Sequence, residues 1–294
     1  MTVPRSTPSG AAFNDLRNLA RRQGRSPQEL YTFHALDGFL ARLAASPQRD
    51  RFVLKGGTLL AAFDLRRPTR DIDLQAHDLA NDAESVLAVV RAVAATPGDD
   101  GLTFDSDTAT ARIIRDDDEY TGVRVSLTAH LATVEIHLHV DVNVGDPIVP
   151  EPQSIELPRV LGEPVVLRGY PIVMVHAEKI VTAVSRGTAN TRWRDFGDIY
   201  ALAGRHSVDG DELTLAITSV AAHREVQLLA LSEVLANYPA LAQRRYETWR
   251  QRHERDDLPR WFDEVLARVT AFADPALLRR VAGRHWDARR SEWA

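Results

Sequence analysis

The chain has 294 residues, a formal net charge of −5 and no cysteine, so it can form one large or two ordinary domains, and disulfides and thiolate metal sites are excluded. The negative charge excludes nucleic-acid binding through overall charge, so any RNA contact needs a local basic surface. No apolar run approaches the roughly 18 residues of a membrane span, and the first residues lack the apolar segment of a secretion signal; we therefore expect a cytoplasmic protein with no membrane partner.

Helices are predicted near the start of the chain, at 13–23 and from 26 to 45. The run SPQE at 26–29 is typical of a capping box with proline in the first helical position. Apolar residues recur along the second helix at helical spacing, which predicts that one face packs on a core. These residues are Leu30, Phe33, Leu36, Phe39, Leu40 and Leu43.

A Gly-Gly-Thr turn at 56–58 follows a predicted strand at 51–54. Glycines lack a Cβ, so their backbone N–H groups can approach a phosphate closely. Thr58 begins a predicted helix at 58–63, and the N-terminus of a helix favours a phosphate. The chain lacks the G-x-x-x-x-G-K-[ST] pattern, which argues against a P-loop. The turn therefore predicts a phosphate site of another kind, and a simple tight turn is the alternative.

Asp71 and Asp73 alternate along a predicted strand at 71–75, so both carboxylates point to the same side. Two such carboxylates can hold a hard divalent cation, whereas a solvated strand end is the ordinary alternative. A phosphate site beside a metal-holding carboxylate pair indicates nucleotidyl or phosphoryl transfer. Two divalent ions about 4 Å apart can activate an attacking hydroxyl and stabilise the departing pyrophosphate.

From 102 to 143 apolar residues recur at every second position, which predicts a sheet after a helix at 83–95 that Asn81 or Asp82 caps. In the last strand one face is apolar. The opposite face carries Glu135, His137, His139 and Asp141. The last three of these are a possible transition-metal ligand set, and packing or contact with a base is the alternative for the two histidines.

The chain is predicted to form two domains, 1–172 and 173–294, connected through a proline-rich stretch at 147–172 that contains one strand at 164–168. After residue 172 the pattern is helical. Helices are predicted at 173–186, 192–204, 210–221, 224–236, 239–253, 259–272 and 275–283.

Only two of the 36 basic residues are lysines, Lys55 and Lys179. A lysine ammonium is a compact charge suited to a phosphate, and retention by chance is the alternative. Asp195 and Asp198, three residues apart on the helix that follows Lys179, share one face of that helix. The three side chains form either a plain ion-pair network or a phosphate-binding lysine oriented by two acids.

A stretch near the C-terminus interleaves arginines with aromatic residues, the side-chain types that contact RNA. Acids at 247, 254, 256 and 257 dilute its charge, so a solvated helix face is the alternative. The stretch contains Arg244, Arg245, Arg250, Arg252, Arg255, Arg260, Tyr246, Trp249 and Trp261.

Four separated segments resemble one known family. KGGT at 55–58, RDIDL at 70–74, HAEK at 176–179 and NTRWRDFGDIY at 190–200 are similar, in this order, to motifs of the AbiEii/AbiGii nucleotidyltransferase toxins, which include the MenT toxins. The resemblance covers about residues 25–205. It implies an α/β (α+β) fold, with a polymerase-β-like nucleotidyltransferase core on a mixed sheet and a C-terminal helical lobe.

The resemblance also implies a function. A toxin of a toxin–antitoxin system would transfer a nucleoside monophosphate from an NTP to an acceptor, implied to be the 3′ end of tRNA, with Mg²⁺ or Mn²⁺ as cofactor and a cognate antitoxin as partner. The implied metal ligands are Asp71, Asp73 and Asp141, the last also as a base. Nucleotide binding is assigned to Lys55, Gly56, Gly57, Thr58, Arg67, Thr69, Lys179 and Asp195. Catalytic roles are assigned to Asp71, Asp73, Asp141, Lys179 and Asp198. Arg194 replaces the family's usual lysine, which keeps the charge but alters the geometry.

Three other functions are open to the sequence. A protein-modifying nucleotidyltransferase would place label from an NTP on protein instead of RNA. A non-catalytic NTP-binding module would bind nucleotide without releasing pyrophosphate. A His-x-His metalloenzyme would contain stoichiometric zinc.

Overall fold

The computed structural model describes residues 3–116 and 120–294. The chain divides into two compact units. The first takes in the chain up to Asp146 together with Pro152–Tyr170, and the second takes in Pro147–Glu151 and Pro171–Ala294. Among the described residues no helix is both long enough and apolar enough to cross a membrane.

A mixed sheet forms the centre of the first unit. In the part of the chain that is described, its seven strands are β1 Phe52–Lys55, β2 Asp71–Ala76, β3 Leu102–Asp116, β4 Tyr120–Leu131, β5 Val134–Val144, β6 Gln153–Leu157 and β7 Val165–Gly169. They lie in the order β3-β4-β5-β2-β1-β7-β6. The pairs β2–β5 and β1–β7 are parallel, and the other neighbours are antiparallel.

Helices of the first unit cover this sheet. They are α1 Pro8–Gln23, α2 Pro27–Ala45, α3 Gly56–Leu59 and α4 Ala83–Ala94. The middle of α2 is buried on nearly every side, because the helix lies against β5, β7, α1 and α4. The fold class predicted from the resemblance, a mixed sheet with helices, is confirmed.

Two helix caps were predicted, with different outcomes. At α4 the Asp82 carboxylate accepts a hydrogen bond from the Ser85 N–H at 2.8 Å, as expected. The capping box before α2 is wrong, because the Ser26 side chain makes no capping hydrogen bond. Glu29 pairs instead with Arg25 at 2.6 Å, and a charged partner is the stronger alternative for a carboxylate.

The proline-rich stretch is part of the sheet. Besides the expected β7, residues Gln153–Leu157 form β6, which pairs with β7 at the edge. The prediction that 147–172 mainly connects two lobes is therefore wrong for Pro152–Tyr170, which belongs to the first unit. Ile155 and Leu157 alternate inward in β6, but two apolar positions are too short a signal to predict a strand.

The second unit is mainly helical. Its helices are α5 Ile172–Arg186, α6 Trp193–Ala203, α7 Gly210–His223, α8 Leu231–Val234, α9 Tyr238–Arg252 and α10 Phe262–Leu277. An aromatic cluster contributed by α6, α9 and α10 packs largely edge to face. Its members are Trp193, Phe196, Tyr238, Tyr246 and Phe262.

Three predictions for this unit are wrong. The helix expected at 224–236 is limited to the one turn of α8. The two helices expected at 259–272 and 275–283 are a single helix, α10, which continues through Pro275. Pro275 lies in its last turn, where it removes one N–H from the helical hydrogen bonds without ending the helix. Three short strands were also missed, β8 Val208–Asp209, β9 His285–Asp287 and β10 Glu292–Trp293.

Candidate active site

Three aspartates meet on one face of the sheet in the first unit. Asp71 and Asp73 alternate along β2, and the parallel pairing of β2 with β5 places Asp141 directly beside Asp73. Neighbouring side chains on adjacent strands lie close together. The structure thus brings together the three residues that the resemblance implies as metal ligands.

Asp73 is the most crowded of these acids. It is half-buried, and its pKa is raised from 3.8 to about 6 by burial first and then by the charges of Asp141 and Asp71. The charge of Lys55 and the Gly57 N–H, which donates to Asp73 Oδ2 at 3.3 Å, act in the opposite direction. Asp73 therefore lies where added positive charge is favourable.

Asp141 already has a cationic partner, Arg124 on β4. The Arg124 Nε donates to Asp141 Oδ1 at 2.7 Å, and the Arg124 Nη2 donates to Asp141 Oδ2 at 2.6 Å. The two side chains therefore form a bidentate ion pair. This hydrogen bonding raises the pKa of Arg124 above its usual value. Sequence reasoning missed Arg124. The alternation of side chains along β4 places Arg124 on the polar face of the sheet. The residue opposite Arg124 on β5 depends on the register of the two strands, which the sequence does not show.

The histidines of β5 do not join Asp141. His139 Nδ1 lies 3.0 Å from Asp71 Oδ1, while His137 is exposed and lies near Glu135 and Thr128. Throughout residues 3–116 and 120–294, no three His, Cys, Asp or Glu side chains are arranged as a metal-ligand group. The expected alternative of a site formed by His137, His139 and Asp141 therefore has no support in the geometry.

The donor set fits a divalent cation at two of the three acids. Asp71 and Asp73 offer carboxylate oxygens, the ligands that Mg²⁺ prefers, on one side of one strand. Asp141 does not fit in the same way, because both of its oxygens accept hydrogen bonds from Arg124. Its implied roles as third ligand and as base stay predictions.

The Gly-Gly turn lies against these acids. Gly56 has φ +66°, and a Cβ at this position would lie 1.9 Å from Asp73 Oδ2. A Cβ at Gly57 would lie 3.2 Å from Arg67 Nη2. The Gly-Gly turn therefore lies close to both the guanidinium of Arg67 and the Asp73 carboxylate. The helix α3 that begins at this turn has only four residues.

The two threonines predicted to bind nucleotide have structural partners. The Thr58 hydroxyl donates to the Asp71 carbonyl at 3.0 Å, and the Asp71 N–H donates to Thr69 Oγ1 at 3.2 Å. Both side chains hold the start of β2, so they position Asp71. Their nucleotide-binding roles stay predictions.

Lys55 is also engaged. Its ammonium lies 3.1 Å from Asp146 Oδ2 and over the ring of Tyr170, 5.4 Å from the centroid. Lys55 stands opposite Asp73 in the pairing of β1 with β2, so its charge acts on the acidic cluster. Direct contact with a phosphate stays a prediction.

A second charged cluster lies in the second unit. Lys179 on α5 donates to Asp195 Oδ1 at 2.6 Å and to Asp198 Oδ2 at 2.9 Å, both on α6. Arg192 Nε donates to the other oxygen of Asp195 at 2.8 Å. Burial alone would raise the pKa of Asp195, but the charges of Lys179 and Arg192 hold it well below its usual value. Lys179, Asp195 and Asp198 therefore form one hydrogen-bonded charged cluster, and its role in the chemistry stays a prediction.

Comparison with known families decides the chain's relationship. Residues 38–268 match the model of the family described as nucleotidyl transferase AbiEii toxin, type IV TA system. The chain belongs to this AbiEii family. It is therefore a nucleotidyltransferase toxin of a type IV toxin–antitoxin system, for which an antitoxin is the implied partner.

Two solved structures are similar to this AbiEii protein. A candidate nucleotidyltransferase from H. pylori has 18% sequence identity and a TM-score of 0.36, with 77% of this chain and 98% of that chain covered. JHP933 from Helicobacter pylori has 18% identity and a TM-score of 0.36, with 79% and 98% covered. No curated protein matches the chain.

Arg194 stands where the family usually has a lysine, but the Asp195 carboxylate accepts its hydrogen bonds from Lys179 and Arg192. Arg194 is exposed, and Arg192 is the arginine that binds Asp195. Sequence reasoning missed Arg192, although its spacing of three residues from Asp195 is that of a helical ion pair. In this AbiEii chain Arg192 therefore supplies the hydrogen-bonded positive charge on Asp195, and the charge of Arg194 also lowers the pKa of Asp195.

The arginine-rich stretch is largely occupied by contacts within the protein. Tyr246 is fully buried, Arg255 is buried and pairs with Asp257 at 2.7 Å, and Arg250 pairs with Asp256 at 3.1 Å. These contacts favour the solvated helix face over an RNA-binding surface.

We expect Gly56→Ala to abolish nucleotidyl transfer and to destabilise the protein more than Gly24→Ala does. The two glycines have nearly the same φ, +66° and +65°, but a Cβ at Gly24 meets nothing within 4 Å. Gly24→Ala therefore costs only the left-handed strain, about 1–2 kcal/mol. At Gly56 the methyl group also displaces the Asp73 carboxylate. Urea unfolding of both variants measures the difference, and equal losses with retained transfer in Gly56→Ala would contradict this account.

Proposed function

We propose that this enzyme transfers a nucleoside monophosphate from an NTP to an RNA hydroxyl, releasing pyrophosphate, and that the acceptor is the 3′ end of tRNA. The observation that carries the proposal is the placement of Asp71 and Asp73 beside the Gly56–Gly57 turn. The turn and Arg67 suit a triphosphate, and the two carboxylates suit the divalent cation that accompanies it.

In this proposal Asp71 and Asp73 hold Mg²⁺ or Mn²⁺, which when bound neutralises charge on the triphosphate and favours ionisation of the attacking hydroxyl. The Gly57 N–H and the guanidinium of Arg67, which lie beside these acids, would then bind phosphate oxygens. Thr58 and Thr69 keep the Asp71 backbone in place. The protein therefore contributes positioning and charge, as is general for phosphoryl transfer.

We propose that Lys179 contributes to nucleotide binding and that Asp195 and Asp198 hold its ammonium in position. The two hydrogen bonds of 2.6 and 2.9 Å support the positioning role of the acids. The similarity of the HAEK segment to the family's motif supports the role of the lysine. The toxin would act in the cytoplasm by blocking translation and growth until its cognate antitoxin neutralises it.

We expect the protein to label RNA when it is incubated with labelled NTPs, Mg²⁺ and total RNA. Asp71→Asn should reduce this labelling at least about 100-fold, the scale expected for loss of an electrostatic group at a reacting centre. Asp107→Asn is the matched control, because Asp107 is an exposed aspartate of the same sheet. Labelling of protein instead of RNA would indicate the protein-modifying alternative.

The proposal fails if the wild type labels no RNA or if Asp71→Asn labels it undiminished. Sequencing of RNA 3′ ends after brief expression then identifies the acceptor and the nucleotide added. Nucleotides added to tRNA 3′ ends are the expected result, and additions confined to other RNAs would contradict the tRNA assignment.

A further inference from the structure

We propose that Arg124 serves as a fixed cation beside Asp141, so that the site binds a single divalent cation, held by Asp71 and Asp73. The inference rests on the proposed use of a divalent cation by those two residues. It departs from the family resemblance, which implies Asp141 as a third metal ligand.

The geometry of the pair carries the inference. Both Asp141 oxygens accept from one guanidinium, at 2.7 and 2.6 Å, and this parallel arrangement is the strongest that an arginine forms with a carboxylate. A metal that used Asp141 would have to displace these hydrogen bonds or share the oxygens with Arg124. In the second case two positive charges would lie within a few ångströms of each other and repel.

The sheet holds the pair in place. Arg124 and Asp141 are directly opposite each other in the antiparallel pairing of β4 with β5. Val123 and Val125 flank Arg124 along β4 and are fully buried on the other face of the sheet. The guanidinium therefore comes from a fixed strand position within the unit's core sheet.

Arg124 also extends towards the proposed metal ligands. Its Nη2 lies 4.0 Å from Asp71 Oδ1, so its charge lies between Asp141 and Asp71. A divalent cation held by Asp71 and Asp73 would, together with this guanidinium, supply the positive charge that two divalent cations supply in a two-metal site. Arg124 is thus a positioning residue for Asp141 and a permanent counter-charge for the cluster.

The test is the stoichiometry and affinity of Mn²⁺ on the full chain, measured by calorimetry and by the electron paramagnetic resonance of free Mn²⁺, with and without a non-hydrolysable NTP. We expect one Mn²⁺ per wild-type chain. Asp71→Asn and Asp73→Asn should each weaken binding by more than about 100-fold, whereas Asp141→Asn should weaken it by about tenfold, the lower end of the range for groups beyond the ligands.

Arg124→Gln should release Asp141 and raise the stoichiometry to two Mn²⁺ per chain, and the double variant with Asp141→Asn should return it to one. Arg112→Gln is the matched control, because Arg112 is the exposed arginine paired with Arg124 across β3 and β4; its stoichiometry should stay at one. If Arg124→Gln does not fold, the comparison of Asp141→Asn with Asp71→Asn still decides the question.

Two Mn²⁺ per wild-type chain, or a loss of binding in Asp141→Asn as large as in Asp71→Asn, overturns the inference about Arg124 while leaving metal-dependent nucleotidyl transfer intact. An unchanged stoichiometry in folded Arg124→Gln overturns it as well. If Asp71→Asn and Asp73→Asn both bind Mn²⁺ normally, the proposed metal site fails, and this inference fails with it.

Discussion

Asp73→Asn is expected to abolish nucleotidyl transfer and, in the absence of divalent cations, to make the protein more stable. The asparagine keeps the shape of the side chain but removes the negative charge that a cation needs. It also removes the cost of burying the charge and the repulsion of that charge by Asp141 and Asp71, which in this order raise the pKa of Asp73 to about 6 in the folded protein. We expect transfer to fall at least about 1,000-fold.

The stability gain should depend on pH in a defined direction. The pKa of Asp73 is higher in the folded protein than the usual 3.8, so the folded state binds this proton more tightly than the unfolded state does. Wild-type stability is therefore reduced progressively as the pH rises from about 4 to about 6, by on the order of 2 kcal/mol. The difference between Asp73→Asn and wild type should be small at pH 4 and fully developed above pH 6.

Thermal unfolding in metal-free buffer at several pH values measures this difference in stability. The Tm of Asp73→Asn should exceed that of the wild type by a few degrees near pH 7.5, since about 1 kcal/mol shifts Tm by about 2–4 °C in a domain of this size. Millimolar Mg²⁺ should raise the Tm of the wild type but not that of Asp73→Asn. Asp107→Asn again serves as the control. A less stable Asp73→Asn protein at pH 7.5 would show that the charge of Asp73 is already compensated without a cation.

Lys179→Met is expected to produce the largest loss of stability, because it removes the cation from two buried acids. Asp198 is fully buried and Asp195 nearly so, and removing one partner of a buried ion pair costs about 3–5 kcal/mol. Because the pKa of Asp195 is held below its usual 3.8, the network stabilises the protein above that pH and ceases to do so as the pH falls through the lowered value. The loss caused by Lys179→Met should accordingly be largest near neutral pH.

A triple variant separates structure from chemistry. Combining Lys179→Met with Asp195→Asn and Asp198→Asn removes the buried charges together, so most of the stability lost in the single variant should return. NTP affinity and nucleotidyl transfer should not return if this cluster serves the reaction. Urea unfolding and NTP titration of both variants measure the two effects. Recovery of transfer together with stability would show that the cluster is only an ion-pair network.

The local features of the site can be predicted from the sequence. Asp71 and Asp73 share a face because side chains alternate along any strand, and Asp195 and Asp198 share a face because helical residues three apart do. Gly56 was recognisable as a turn residue, and the order of the motifs predicted the family and the fold class, both of which are confirmed. Apart from the order of the motifs, each of these inferences depends on residues within a few positions of one another.

The tertiary structure alone decided which strands and side chains meet. Arg124 binds Asp141 because β4 and β5 pair in one register, and a shift of one residue would turn Arg124 to the other face. Lys55 binds Asp146, 91 residues later in the chain. Strand β8 likewise forms through pairing with β9, a distant segment of the chain. The residues of each segment thus predict the chemistry that the segment offers, whereas its partners follow from long-range pairing, which local periodicity does not encode.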